Sequence, residues 1–403
     1  MALASTISPS FPSSRVAVSA AFFANGFVIG GWAPQIPILR SRLGIDEPTL
    51  GLVILAFGIG SLIAMPLVGA AVSRGGSRAP VILLQVLLAP ALPLMVLTGN
   101  LAFAFPAALF FGAMVGGMDV AMNANAVAVE RGMDRAIMSS AHGFWSVGGF
   151  VGAGLGGPLI AALGPLGHSL VVAAAVLLFL VPVAAFMLRD APEAASAPVE
   201  PGSGGLAGLR QALRRDRAPV LAAVGIGVLA LFSMIPEGAA IDWSAEYLVR
   251  AFEADVQVSG WAFAAFSATM AILRFLGDGI RDRLGAVRTV RLSLVAGIAG
   301  LATVTLAPNE WSAIAGFAVL GVGLANLVPV AFSAAGNVPG LKPGVGIAIA
   351  TCFGYSGILV APSAIGFAAR HFGYPVVFGS LTLLLVVVFI GSKHLRGADR
   401  PRG

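Results

Sequence analysis

Few side chains in this sequence can bind or pass on a proton away from its polar connectors. Asp119 and Asn123 stand one helical turn apart and so share a face, while His142 opens the next apolar stretch. A carboxylate in apolar surroundings holds its proton more tightly, and an imidazole beside it exchanges protons near neutrality. Two readings stand: a proton-exchanging group, or a buried hydrogen bond that joins two helices. Arg274 and Asp278, at i and i+4, suit an intrahelical ion pair or a gate that closes on the His142 region. Glu237 sits between Pro236 and Gly238 and just before Asp242 and Trp243. This places it near an outer helix end, as a ligand at the mouth of a cavity or as part of an interfacial cluster. Asn25, Trp32, Trp145, Asn326 and Tyr355 offer amides and rings, which suit a neutral hydrogen-bonding solute better than an ion.

The elements that must position these residues follow from composition. Of 403 residues, 58% are hydrophobic and only 10% charged, and the mean hydropathy is +0.94. Soluble domains carry about 25% charged residues, so this chain cannot cover itself with polar surface and must be an integral membrane protein. Apolar runs long enough to cross a hydrocarbon core of about 30 Å recur twelve times. The spans read as Val16–Leu39, Leu50–Val72, Pro80–Thr98, Leu101–Val129, Ala136–Leu163, His168–Leu188, Pro219–Ile241, Ser259–Ile280, Val290–Ala307, Ser312–Ala335, Val345–Ala369 and Pro375–Ser392. The first reads as a membrane helix, because its apolar core is longer than the ~7–15 residues of a cleaved leader.

Between the sixth and seventh spans lies a Pro-, Gly- and Arg-rich linker. The division is therefore residues 1–188, a six-helix bundle; 189–218, a linker; and 219–403, a second bundle. With both termini in the cytoplasm, nineteen Lys and Arg fall on inside loops, against four outside (Arg40, Arg42, Arg250 and Arg370). The net charge of +6 is scattered over these loops, which speaks against a nucleic-acid surface. The single cysteine, Cys352, allows no disulfide within the chain. No P-loop, HExxH or Gly-x-Ser-x-Gly pattern occurs, so neither an enzyme nor a metal or cofactor is expected. The tryptophans Trp32, Trp243, Trp261 and Trp311 all fall near outer span ends, as interfacial belt residues do. Trp145 and Tyr355 lie about 15 Å from an inner end, deep enough to stack on a solute from opposite halves.

The halves repeat. Arg74-Gly-Gly76 matches Arg283-Leu-Gly285 at an offset of 209 residues, Gly116-x-x-Asp119 matches Gly323-x-x-Asn326 at 207, and Gly149 matches Gly357 at 208. The segment Gly69-Ala-Ala-Val-Ser73-Arg74-Gly-Gly76-Ser-Arg78 is similar to the loop motif between helices two and three of the major facilitator superfamily. Ser73 stands where that motif carries aspartate, whereas Asp282-Arg283-Leu284-Gly285 keeps the acid in the second half. Gly116-Gly-Met-Asp119-Val-Ala-Met-Asn123, Met138-Ser-Ser-Ala-His142-Gly and Glu237-Gly-Ala-Ala-Ile-Asp242-Trp243-Ser resemble a bacterial subgroup near the fucose-permease-like transporters.

The resemblance implies an all-α integral membrane fold, with twelve transmembrane helices in two pseudo-symmetric six-helix bundles. It implies a monomer in the bacterial inner membrane, in contact with lipid, that moves a small organic solute by alternating access. Proton coupling is expected through Asp119, His142 and Asn123. Substrate contacts are expected from Asn25, Trp32, Trp145, Glu237, Asn326 and Tyr355, and gating from Arg74, Arg78, Arg274, Asp278, Asp282 and Arg283. Uptake of a sugar-like solute is the favoured reading. The alternatives are a proton-antiport exporter of hydrophobic compounds and a transport-inactive membrane sensor or scaffold.

Overall fold

A membrane interior offers no water to backbone N–H and C=O groups, so an apolar chain that enters it must satisfy them within helices. The computed structural model describes residues 11–133, 137–190, 217–341 and 343–399, and among these it is entirely helical apart from turns. Most of the linker expected at 189–218 lies outside the described residues.

The helices are α1 (Phe11–Trp32), α2 (Gln35–Leu43), α3 (Glu47–Gly75), α4 (Arg78–Leu88), α5 (Ala91–Leu97), α6 (Leu101–Met133), α7 (Met138–Phe186), α8 (Arg217–Phe252), α9 (Val256–Ser259), α10 (Trp261–Leu284), α11 (Ala286–Thr305), α12 (Glu310–Leu324), α13 (Leu327–Gly336), α14 (Pro343–Phe372) and α15 (Tyr374–Gly391), with a final 3-10 segment Ser392–Ala398. They make twelve crossings. The third is α4 continued by α5, and the tenth is α12 continued by α13 across Asn326. The 49-residue α7 holds the fifth and sixth, reversing at Gly164, whose φ of +73° precedes Pro165. Such a backbone is strained for any residue with a Cβ.

Packing repeats between the halves. In the first, α1 lies on the first arm of α7, α3 on α6, and α4 on the second arm of α7; in the second, α8 lies on α14, α10 on α12, and α11 on α15. Small residues set the close approaches. Gly26 and Gly30 of α1 lie against the Trp145 and Gly149 carbonyls of α7, and Gly148 and Gly152 of α7 against the Phe23 and Phe27 carbonyls of α1; a Cβ on any of these four would fall on facing backbone. Lipid supplies no hydrophobic drive between helices, so such backbone-to-backbone packing takes its place.

A symmetric bracket ties helix ends within each bundle on the side where both ends of the described chain lie, called here the terminal side. Ser77 N–H donates to both carboxylate oxygens of Asp190 at 2.9 Å, and Gly76 before it has φ +80°. In the second half Ala286 N–H donates to Asp399, and Gly285 before it has φ +77°. Asp190 and Asp399 are 209 residues apart, the same offset as the two glycines. Each carboxylate, arriving from the end of the sixth or twelfth crossing, meets the positive end of the third or ninth. Asn125 completes the first bracket by donating to Ser77 Oγ at 2.8 Å and to Leu188 O at 3.0 Å.

The bundles meet along two cross-pairs, α3 with α14 and α7 with α10. On the side away from the termini, the distal side, Gly51 lies against Pro362, and Ser363 Oγ donates to Gly51 O at 3.3 Å. Gly366 lies against the Glu47 backbone, and Gly157 against Val256 and Gln257. The passage is shut there.

Candidate transport site

A layer near mid-membrane is built first, from uncharged groups. Trp145 Nε1 donates to Asn25 Oδ1 at 2.9 Å, and Asn25 Nδ2 donates to Val115 O at 3.2 Å, tying α1 to α6 and α7. Asn25 is buried, and its amide serves the protein rather than an open cavity.

One turn toward the terminal side lie the ionisable groups. Asp119 follows Val115 by four residues, and Asn123 Nδ2 donates to its carboxylate at 3.1 Å and to its carbonyl at 2.8 Å. His142 sits three residues before Trp145, with its ring edge-on to Phe22 at 5.1 Å. Thus Asp119 and Asn123 are joined as their spacing predicts. His142 is brought to a similar depth, but no hydrogen bond links it to either among the described residues.

The charged centre is Arg274. Its Nη2 lies 3.1 Å from Glu237 Oε1, and its Nη1 donates to Ser146 Oγ at 2.9 Å. Ser146 in turn donates to the His142 carbonyl at 3.2 Å. Glu237 and Arg274 belong to the second bundle and Ser146 to the first, so this cluster spans the divide. Both charged side chains keep only 12–17% of their exposure. Charges at this depth cost several kcal/mol unless paired, and such groups mark solute or ion pathways.

Arg274 has Glu237, 37 residues away, as an ion-pair partner; the Asp278 side chain, its expected partner one turn on, lies outside the described residues. Two expectations are corrected. Glu237 is not at an outer helix end, because α8 runs on to Phe252. Of Asp242 and Trp243, which seemed to end this span, Trp243 is buried against other helices, as are Ser244 and Glu246 beyond it. Trp243, at 0% exposure, and Trp32, at 4%, are core residues; Trp32 meets Phe111 and Trp243 meets Tyr374. Trp261 and Trp311, 44% and 57% exposed, stand edge-on to each other as belt residues do.

Of the other expected site residues, the Asn326 amide covers Gly277 of α10, and the Tyr355 side chain lies outside the described residues. Arg78 Nη2 donates to Ala184 O at 2.6 Å, bracing its own bundle. Arg74, Asp282 and Arg283 are exposed at the terminal side, with no ion pair among the described residues.

One charged group was missed. On the distal side Arg40 Nη2 bonds Glu47 Oε1 at 2.9 Å, Arg40 Nη1 lies 3.2 Å from Glu246 Oε1, and Arg250 Nη2 lies 3.5 Å from Glu47 Oε1. Arg370 pairs with Asp46, and Arg42 donates to Met95 O at 3.0 Å. All four arginines that run against the positive-inside bias are thus engaged by acceptors, and that bias was the signal that could have found the cluster.

Two six-helix bundles, joined at the distal end and enclosing a charged centre, have the architecture of a membrane transporter. Residues 18–249 and 238–402 match the Major Facilitator Superfamily, and the chain belongs to that family. It is 35% identical over 384 residues to an uncharacterised MFS-type transporter of Yersinia pestis, covering 94% of this chain and 95% of that protein. It is 31% identical over 391 residues to the membrane protein MosC of Rhizobium meliloti, covering 96% and 92%. Its fold matches the nucleoside transporter NupG with a TM-score of 0.71 at 13% identity, covering 94% of this chain and 99% of that one. A human organic anion transporter matches with a TM-score of 0.61 at 18% identity, covering 95% and 99%.

Proposed function

We propose that this protein is a proton-coupled uptake transporter of the bacterial inner membrane, with its terminal side in the cytoplasm, and that its solute is a small sugar-like molecule bearing an acid group. The observation that carries this reading is the Glu237–Arg274 pair with its bond to Ser146 of the other bundle. Asn25, the amide that would suit a neutral sugar, is occupied by Trp145 and Val115. That leaves charged and acidic groups to meet the solute.

The chemistry follows from what Arg274 offers. A guanidinium presents paired N–H donors that fit a carboxylate in two parallel bonds. While Glu237 is ionised, it competes for those donors. A proton on Glu237 removes the competitor, so one proton and one anionic solute enter together without net charge movement. Asp119, Asn123 and His142, at the neighbouring depth, supply hydrogen bonds to solute hydroxyls and a second place for a proton.

Proteoliposomes test the reading. An inward proton gradient should drive accumulation of radiolabelled glucuronate over glucose. Glu237→Gln should abolish gradient-driven accumulation while leaving solute counterflow. Glucose preferred to glucuronate would sink the acid-bearing solute; unimpaired accumulation by Glu237→Gln would sink the coupling.

A further inference from the structure

Four charges on the distal side are arranged so that none is left alone when the bundles part. Arg40 and Glu47 belong to the first bundle, Glu246 and Arg250 to the second. In the closed arrangement two of their contacts cross the divide beside the separate Arg370–Asp46 pair, Arg40 with Glu246 at 3.2 Å and Arg250 with Glu47 at 3.5 Å, while Arg40 also holds Glu47 at 2.9 Å within its own bundle. Glu246 is only 1% exposed, yet neither of its oxygens receives a well-directed hydrogen bond. It is held by charge across the divide.

Opening the distal side removes both crossing contacts, and a buried carboxylate stripped of its cation carries a heavy penalty. The sequence supplies the replacement. Glu246 and Arg250 stand at i and i+4 on α8, with the acid N-terminal, the favourable order for a pair on one helix. Arg40 and Glu47 already have each other. Each bundle therefore carries one cation and one anion of its own.

We propose that Arg40, Glu47, Glu246 and Arg250 form a partner-exchange latch, paired across the bundles when the distal side is shut and within each bundle when it opens. The device is independent of which solute is carried. It differs from a fixed tie in what it demands: charges must match across the divide and also within each half.

The test reads distal opening without any solute. Ser363→Cys, in a Cys352→Ser background, places a thiol against Gly51 at the shut interface, and labelling by a membrane-impermeant maleimide from the distal face reports how often α3 and α14 separate. Glu246→Gln removes one pairing from each state, the Arg40 contact from the shut one and the Arg250 contact from the open one, so labelling should stay within about twofold of the parental rate, whereas a fixed tie predicts a clear quickening. Combining Arg40→Glu with Glu246→Arg keeps opposite charges across the divide but puts two anions on one bundle and two cations on the other. The latch then closes and resists opening, so labelling should slow by about tenfold. Adding Glu47→Arg and Arg250→Glu restores both kinds of match and should return the parental rate. Arg250→Gln gives a second reading with opposite signs. Partner exchange predicts slower labelling because Glu246 loses its partner in the open state, whereas a fixed tie predicts faster labelling because a crossing contact is gone. Parental labelling of the two-residue reversal, or faster labelling of Arg250→Gln, would overturn the proposal. Size-exclusion profiles and thermal unfolding confirm that each variant is folded.

Discussion

Removing the Asp190 carboxylate gives the sharpest check on how the bundles are built. In the structure both of its oxygens lie 2.9 Å from one N–H, that of Ser77, at the start of α4. A hydrogen bond to an ionised group contributes about 1.5–3 kcal/mol, and a carboxylate at a helix N-terminus adds about 0.3–1 kcal/mol. Gly76, at φ +80°, brings no side chain that can substitute. Asp190→Ala should therefore cost about 2–3 kcal/mol. Asp190→Asn keeps an acceptor and loses only the charge, so it should cost about 1 kcal/mol. Asp399 takes the Ala286 N–H on one oxygen and is more exposed, so Asp399→Ala should cost less, about 1 kcal/mol. The two brackets sit in different bundles and share no partner, so the double variant should show the sum to within about 0.5 kcal/mol. The assay is fluorescence-detected thermal unfolding of detergent-purified protein, comparing apparent midpoints across parent, singles and double. Equal midpoints for Asp190→Ala, Asp190→Asn and parent would refute the account of the bracket. A double variant no worse than either single would refute its independence in the two halves.

Further outcomes follow from individual contacts. Trp145→Phe leaves Asn25 Oδ1 without its donor and should lower stability by about 1 kcal/mol by the same thermal assay. Gly323 packs on the Gly297 backbone, so Gly323→Val forces α12 from α11; overpacking of this kind costs about 1–3 kcal/mol and should appear as a lowered unfolding midpoint. In brominated-lipid vesicles Trp261 and Trp311 should be quenched strongly and Trp32 and Trp243 weakly, which single-tryptophan variants would display. The Asp46 carboxyl is held below the usual carboxylate range, first by its hydrogen bond from Thr49 and also by Arg370. A group whose pKa is lowered on folding stabilises the protein above its unfolded pKa and ceases to do so as pH falls through the folded value. The midpoint difference between parent and Asp46→Ala should therefore be full near neutrality and shrink in the acid range below about pH 4.

The architecture was readable because membrane burial writes itself along the chain: each crossing is a run of apolar residues, and the repeat near 209 residues announces the second bundle. Helix ends were less readable where polar residues are buried. Asp242 and Trp243 look like the close of a span, yet α8 carries them onward, with Trp243, Ser244 and Glu246 covered by neighbouring helices. The candidate site shows the same division. Asp119 with Asn123 was legible, since four residues on one helix fix the contact. Arg274 with Glu237, and Asn25 with Trp145, depend on how separate helices rotate against one another, which no spacing encodes. The bracket at Asp190 and Asp399 was present in the numbering all along, but an acid after an apolar run carries no sign of the N–H it will meet.

The reversal at Gly164 has a consequence for how the protein is made. The fifth and sixth crossings are two helices that meet at one left-handed residue, Gly164, and no polar loop separates them. A join this short suits entry of the two arms into the bilayer together, as a helical hairpin. A reporter sequence inserted at Gly164 should block assembly altogether, while the same insertion at the capped connection before Ser312, where Asn309 already faces solvent, should be carried without loss.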